Sequence, residues 1–245
     1  MLKKGLTFLL FLLVGGVYLS AQTTISLLGS DGPNITADAY LKNDTLPYMI
    51  LCHEEKSSRG EYNESAKKFM KLGYNCLAID LRNGGTKNGV QNGTKENAEE
   101  QKLPTGYLDA KADIEAAINY AYDKNHKNVI LVGSGYSASL ALYIGSSNHK
   151  VSAVIAFSPG DYFSGKLKTK EAFENYDKPV FVTSSASESE KVKKYIASIP
   201  SEKLVHFTPP NEGAHGSEAL LSSDKEYHEY WISIVMFLRQ VQTGN

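Results

Sequence analysis

Short apolar runs, each four to seven residues long and separated by polar segments, recur along the chain. Runs of this length that are bounded by turn-forming residues and rich in β-branched or aromatic side chains are typical of buried strands. Six such runs cover residues 48–52, 74–79, 129–132, 151–157, 180–183 and 204–207. Two earlier runs, at 25–28 and 35–41, predict a pair of short antiparallel strands ahead of them.

Helical periodicity fills the intervals between the strands. It covers residues 61–72, 107–124, 136–147 and 188–199. Tyr227, Trp231, Ile234 and Leu238 follow i, i+4, i+7, i+11 spacing and predict a final helix. Continuous apolar strands that alternate with helices favour an α/β fold, with a mostly parallel sheet of about eight strands and helices on both faces.

The first 21 residues have the pattern of a secretory signal peptide. Lys3 and Lys4 precede an apolar run from Leu6 to Val14, and small residues follow up to Ala21. The apolar run is too short for a membrane anchor, which needs roughly 20 apolar residues. We therefore expect cleavage after Ala21, a single domain over 22–245, no membrane span in the mature chain, and export to the periplasm or the medium.

Charge, cysteine and histidine content indicate which partners, metals and cofactors to expect. The chain has 26 basic and 27 acidic residues, a formal charge of -1, which gives no electrostatic reason to expect nucleic acid as a partner. Cys52 and Cys76 both lie in apolar runs, so we expect buried free thiols. The six histidines are scattered without metal-ligand spacing. Neither glycine-rich stretch, 82–93 or 133–139, has the pattern of a phosphate loop, so no cofactor is expected.

The segment from Arg82 to about Pro104 is polar throughout. A loop of this length is usually functional or mobile, so we expect it to lie over the pocket. Asp80 and Arg82 at its root are candidates for a structural ion pair, and Arg82 is also a candidate for the pocket itself.

Polar residues follow each predicted strand, where ligands gather in open α/β sheets. The segments are CHEEKSSRGEY (52–62), GSGYSAS (133–139), SSASESE (184–190) and PPNEGAHGSEAL (209–220). A tight turn, an acid and a histidine occur in that order. This order resembles the α/β-hydrolase superfamily, in particular its dienelactone-hydrolase-like branch of small secreted esterase-type proteins, over nearly all of the mature chain.

The resemblance assigns a role to several residues. The nucleophile turn G-x-S-x-G of the family begins here at Gly133, so the nucleophile position is Gly135. The histidine is His215, and the acid is Glu188 or Glu190. The family's oxyanion hole implies backbone N–H groups at Tyr136 and Glu54.

Two of these neighbours carry their own expectation. His53 follows a buried strand and is expected to shape the floor of the site as a hydrogen-bonded structural histidine. The carboxylate of Glu54 would repel a developing oxyanion unless it turns away.

The nucleophile position departs from the family pattern because Gly135 has no hydroxyl. A shifted register would make Ser137 or Ser134 the nucleophile, but the apolar phase of the following helix favours the turn at Gly135. Two functions stay open for the site. One is hydrolysis of a small ester or acyl substrate, compensated by a shifted serine or a bound water. The other is a catalytically inactive protein that binds a small-molecule ligand in the pocket.

Overall fold

The computed structural model describes residues 22–243, and the predicted signal peptide lies outside the described residues. Ten strands occur in this part of the chain: β1 (Gln22–Leu28), β2 (Asn34–Tyr40), β3 (Tyr48–Cys52), β4 (Asn75–Ile79), β5 (Thr86–Lys87), β6 (Val90–Gln91), β7 (Val129–Ser134), β8 (Val151–Phe157), β9 (Val180–Thr183) and β10 (Leu204–Phe207). Seven α-helices accompany them: α1 (Ser65–Lys71), α2 (Gly93–Glu100), α3 (Ala110–Asn125), α4 (Tyr136–Gly145), α5 (Thr169–Glu174), α6 (Ser189–Tyr195) and α7 (Tyr227–Thr243).

Eight of the strands form one sheet in the order β1-β2-β4-β3-β7-β8-β9-β10. The six strands from β4 to β10 in this order run parallel, whereas β1 pairs antiparallel with β2 and β2 antiparallel with β4. The predicted fold class, strand number and antiparallel opening pair are confirmed. The six parallel strands have their carboxyl ends at one edge of the sheet, and their crossover helices cover both faces.

Alternating side chains of the strands supply two separate cores. On one face, residues such as Ile50 and Leu131 pack with Leu140 and Phe173, which come from α4 and α5. On the other face, Phe69, Tyr230 and Ile234 of α1 and α7 join Met49 and Leu51. The central strands β3 and β4 are therefore buried along their whole length, which is why each appears in the sequence as a mostly apolar run.

The segment predicted as one long polar loop has secondary structure of its own. Strands β5 and β6 form a small hairpin, and α2 follows directly. The Asn92 side chain caps α2 by accepting the N–H of Lys95 at 2.8 Å. The sequence pattern did not indicate α2 because it has only Thr94 and Ala98 as buried residues. The short α5 was missed as well.

Arg82 belongs to the fold rather than to a pocket, which corrects the prediction. Its guanidinium is 1% exposed and donates to Asp113 at 2.6 Å and to Asp31 at 2.7 Å. The pairing of Asp80 with Arg82 is also wrong, since Asp80 accepts from Arg59 at 2.6 Å. Each buried charge thus has its own partner, as burial requires.

Two further expectations concern the described residues alone. Cys52 and Cys76 are both buried free thiols. Within residues 22–243, no helix combines the length and the apolar content that a bilayer crossing requires.

Candidate active site

A sharp turn joins β7 to α4 at the carboxyl edge of the sheet. Gly135 has φ +58° and ψ -122°, a backbone conformation that residues other than glycine rarely adopt. Helix α4 begins at the next residue, Tyr136. A Cβ on Gly133 would stand 2.6 Å from the backbone nitrogen of Ala138, so the helix packs directly on the strand end. The turn therefore has glycine at its apex, with no side chain to present.

His215 reaches this turn from a loop near the end of the chain and lies between two carboxylates. Its Nδ1 is 2.5 Å from Oε1 of Glu188, and its Nε2 is 2.6 Å from Oε1 of Glu54. Because carboxylate oxygens only accept, both ring nitrogens of His215 act as donors. The ring is therefore an imidazolium in this arrangement.

Hydrogen bonding at this cluster perturbs the pKa values of His215 and Glu188. Hydrogen bonds to Glu188 and then to Glu54 raise the pKa of His215 to about 10, against the opposing effect of burial. Burial acts to raise the pKa of Glu188, but hydrogen bonds from His215 and Ser158 outweigh it and lower the value to about 2. At neutral pH His215 is therefore a cation hydrogen-bonded to the carboxylates of Glu54 and Glu188. Its ring has no free lone pair with which to accept a proton.

Glu54 occupies the space that a nucleophile's side chain would need. A Cβ built on Gly135 would lie 2.5 Å from Oε1 and 3.0 Å from Cδ of Glu54. The same carboxylate oxygen accepts the Nε2–H of His215. The sequence predicted that the Glu54 carboxylate would repel an oxyanion unless it turned away. It does not turn away: it lies where the hydroxyl of a serine at residue 135 would be.

The oxyanion donor predicted at Glu54 is already engaged, which corrects that prediction. The Glu54 N–H donates to Oε2 of Glu61 at 2.9 Å. Glu61 is 7% exposed, and its other oxygen accepts the Ser217 hydroxyl at 2.5 Å. A substrate carbonyl would have to compete with this buried carboxylate for the N–H.

The other predicted donor, the Tyr136 N–H, lies at the first residue of α4. The Tyr136 side chain is buried, stacks on Tyr107 and donates its hydroxyl to Asn83.

Both alternative serines are fully buried and hydrogen-bonded to the backbone. The Ser137 hydroxyl lies 2.7 Å from the Cys52 carbonyl and accepts the Ser134 N–H at 3.0 Å. Ser134 is nearer the site: its hydroxyl accepts the Ser217 N–H at 2.9 Å and lies 3.5 Å from Oε2 of Glu54. Neither hydroxyl contacts the ring of His215, so neither is paired with the histidine that serves as base in a Ser-His-acid triad.

Two further predicted residues lie apart from His215. His53 is buried, with Nδ1 2.7 Å from the Glu54 carbonyl and Nε2 accepting the Leu81 N–H at 2.8 Å, so it shapes the backbone of the floor. Glu190 is exposed on α6. Of the two candidate acids, Glu188 is therefore the one that contacts His215.

Three serines that the sequence did not single out hold the acid and the histidine loop. The hydroxyls of Ser158 and Ser185 donate to Oε2 of Glu188 at 2.8 and 3.0 Å. Ser158 also accepts the Gly216 N–H at 3.0 Å, which ties the loop of His215 to the end of β8. Ser217 binds Glu61 as described above. Their only sequence signal was a position just after a predicted strand or next to the histidine.

A cleft of about 330 Å³ lies between the segments 106–109 and 162–166, and its lining does not include Glu54, Glu188 or His215. Its walls include Tyr107, Tyr162 and Phe163, with Asp109 and Lys166 at the rim. The Tyr162 hydroxyl donates to the Ser158 carbonyl at 3.2 Å, so this aromatic wall is anchored to the same strand end as Glu188. Among residues 22–243, no group of three or more histidine, cysteine or acidic side chains is placed to hold a metal ion.

The protein has the α/β-hydrolase fold. Three features define it: the order of strands in the sheet, the strand–turn–helix at Gly135, and the pairing of Glu188 with a histidine near the end of the chain. The chain belongs to the dienelactone hydrolase family, whose model matches residues 38–198. No curated protein matches the chain.

Solved structures share the fold at low sequence identity. The dienelactone hydrolase from Anabaena variabilis is 13% identical, with a TM-score of 0.68 over 90% of this chain and 97% of that one. The putative dienelactone hydrolase from Klebsiella pneumoniae is 14% identical, with a TM-score of 0.67 over 90% and 98%. The Pyrococcus furiosus esterase Pf2001 is 16% identical, with a TM-score of 0.66 over 90% and 92%. Likeness at this identity concerns the fold.

Proposed function

We propose that this protein is an exported, catalytically inactive member of the dienelactone hydrolase family that binds a small molecule in the cleft lined by Tyr107 and Tyr162. The observation that carries the proposal is the Glu54 carboxylate, 2.5 Å from where a nucleophile's Cβ would stand on Gly135. A missing hydroxyl alone would leave room for a water. Here the carboxylate fills that room and keeps His215 protonated, so neither a serine nor a water meets a free base.

The binding half of the proposal rests on this cleft. Aromatic walls with a few polar groups are typical of small-molecule sites. Tyr107 and Tyr162 are held by hydrogen bonds to Glu55 and Ser158, so the walls are formed before a ligand arrives. The ester-like shape of family substrates makes phenyl acetate a suitable probe of this cleft.

The catalytic half is tested by comparing the native protein with Gly135→Ser/Glu54→Ala. The double variant supplies a hydroxyl and removes the carboxylate that competes for His215. We expect hydrolysis of p-nitrophenyl acetate and labelling by a fluorophosphonate at position 135 in the double variant alone, with a rate at least 100-fold above the native protein. His215→Ala added to the double variant should abolish both signals.

Three outcomes would overturn the inactive assignment. They are native turnover that falls in His215→Ala, fluorophosphonate labelling of Ser134 in the native protein, and labelling of Ser137. Ligand-observed NMR with phenyl acetate tests binding separately: we expect binding without hydrolysis, weakened by Tyr162→Ala and unchanged by Tyr143→Ala. Failure of the native protein to bind the probe would contradict the binding half.

A further inference from the structure

The end of the sheet opposite the candidate site carries two clefts that form one groove, here called the amino-end groove. The larger has a volume of about 560 Å³ and the smaller about 410 Å³. Both are lined by Asn128, Ser152 and Val241, so they are continuous. This groove lies where the parallel strands begin, far from the edge at which His215 and Gly135 meet.

Lysines line the groove at regular positions. Lys127 precedes β7, Lys178 precedes β9 and Lys203 precedes β10, each by one or two residues. All three line the clefts. Since β7, β8, β9 and β10 are consecutive in the sheet, three strand intervals spread the lysines over about 14 Å. Lys150 precedes β8 in the same way, but its Nζ donates to Asn119 at 2.7 Å.

The charge of the groove is positive although the whole chain is slightly acidic at -1. Lys178 pairs with Asp177, the acidic side chain of the lining, at 3.0 Å. The pKa of Asp177 is lowered mainly by its hydrogen bond with Lys178 and to a smaller extent by the charge of Lys203. Two of the three lysine charges therefore remain to meet an anion.

The rest of the lining selects among anions. Six of its residues carry hydroxyl or amide groups, which suit the hydroxyls of a sugar: Asn128, Ser146, Ser147, Ser152, Gln240 and Gln242. The lining also has the buried Tyr74 and the histidines His126 and His149, and among its described residues there is no phenylalanine or tryptophan to serve as a stacking platform for single-stranded nucleic acid. A recessed groove also differs from the flat basic surface or amphipathic helix that suits a membrane.

We propose that the amino-end groove binds an acidic oligosaccharide, with Lys127, Lys178 and Lys203 pairing with its carboxylates or sulfates. The polar side chains between the lysines bind the sugar hydroxyls. Such pairing at a water-exposed groove is weakened by salt. The inference concerns a different surface from the site of the proposed function and does not depend on it.

The test is isothermal titration calorimetry of the full mature protein with tetragalacturonate, which carries four carboxylates, in 25 mM NaCl. We expect Lys127→Gln/Lys178→Gln/Lys203→Gln to weaken the affinity at least tenfold. The control Lys67→Gln/Lys71→Gln/Lys170→Gln removes the same charge from α1 and α5 and should change the affinity less than twofold. Because Lys178 is partly buried, Lys127→Gln/Lys203→Gln is a second variant that keeps the test valid if the triple variant unfolds.

Two comparison ligands complete the design. Maltotetraose has the hydroxyls without the charge, and a thymidine pentanucleotide has four phosphates without the pyranose hydroxyls. We expect both to bind at least tenfold more weakly than tetragalacturonate, and His215→Ala to leave the tetragalacturonate affinity unchanged. Equal losses in the two triple variants, equal affinity for the pentanucleotide, or no binding of tetragalacturonate would each overturn the proposal.

Discussion

His215 donates from both ring nitrogens, and the partner on each side is a carboxylate rather than a hydroxyl. In a serine hydrolase one of these nitrogens must accept the nucleophile's proton. Here Nε2 donates to Glu54 and therefore cannot accept a proton. His215, Glu54 and Glu188 form a cluster of charged groups instead. At the scale of single residues, the chemistry of this site is therefore decided by Glu54 as much as by Gly135.

The raised pKa of His215, about 10, makes its contribution to stability depend on pH. Because this folded-state value exceeds the unfolded value of about 6.5, the contribution is complete below pH 6.5 and is lost as the pH rises through 10. We expect the free energy of unfolding of the native protein to exceed that of His215→Gln at pH 7, and the difference to shrink towards pH 10.5. Urea denaturation of both proteins across this range measures it.

NMR titration gives an independent reading. The ring of His206 should lose its proton at lower pH than that of His215, because burial and then Lys193 lower its pKa. A His215 ring that titrates near pH 6.5 would contradict an imidazolium held between Glu54 and Glu188. A difference in unfolding free energy that grows with pH would contradict it as well.

The identity of the residues at the site was predictable from their order in the chain, but the partners of Glu54 were not. Gly135, His215 and Glu188 each follow a buried strand or precede the last helix, and their positions follow from the topology. The Glu54 side chain is held by His215 and Ser134, which are 161 and 80 residues away in the sequence. Sequence patterns report burial and repeat, and they do not encode such side-chain pairings.

At the scale of elements, the long apolar strands were the predictable part. β3, β8, β9 and β10 have the bounds that the apolar runs indicated, because strands packed between helices on both faces are made mostly of apolar residues. The hairpin β5–β6 and the helix α2 escaped the same reasoning. They are held mostly by polar contacts, such as the Gly93 N–H to Asp80 at 2.8 Å, which leave no apolar pattern in the sequence.

The end of β4 is joined to α3 by a buried ion pair that can be tested. Asp113 is 0% exposed and accepts from the guanidinium of Arg82. Asp113→Ala would leave that cation without its buried partner, and we expect a loss of about 3–5 kcal/mol in unfolding free energy. Urea denaturation at pH 7 measures the change.

Asp31 is the matched control for this pair. It binds the same guanidinium at 2.7 Å, but its side chain is 43% exposed. Asp31→Ala should therefore cost about 1 kcal/mol or less. If Asp113→Ala costs no more than Asp31→Ala, burial is not what makes the interaction important.

At the scale of the whole molecule, one eight-stranded sheet runs through the described chain, and β1 is its first strand. β1 pairs with β2 from Gln22 opposite Tyr40 to Leu28 opposite Asn34. β1 is thus an antiparallel edge strand of the sheet, and cleavage after Ala21 stays a prediction.

The proposal of export gives a direct prediction. Expressed with its full sequence in a bacterium with a secretory pathway, the protein should be recovered outside the cytoplasm with Gln22 as its first residue, because an apolar run of this length after two lysines is typical of a signal peptide. Mass spectrometry of the intact protein measures the mass removed. Replacing Leu9 and Leu10 by arginine should keep the full-length chain in the cytoplasm, and recovery of uncut native chain there would contradict the prediction.

The position of the Glu54 carboxylate also has an evolutionary consequence. Under the proposed function, a serine gained at residue 135 alone would meet a histidine that already carries a proton between two acids. Hydrolytic activity would then also require a shorter side chain at residue 54. A return to hydrolysis would therefore need two substitutions, neither of which brings activity by itself.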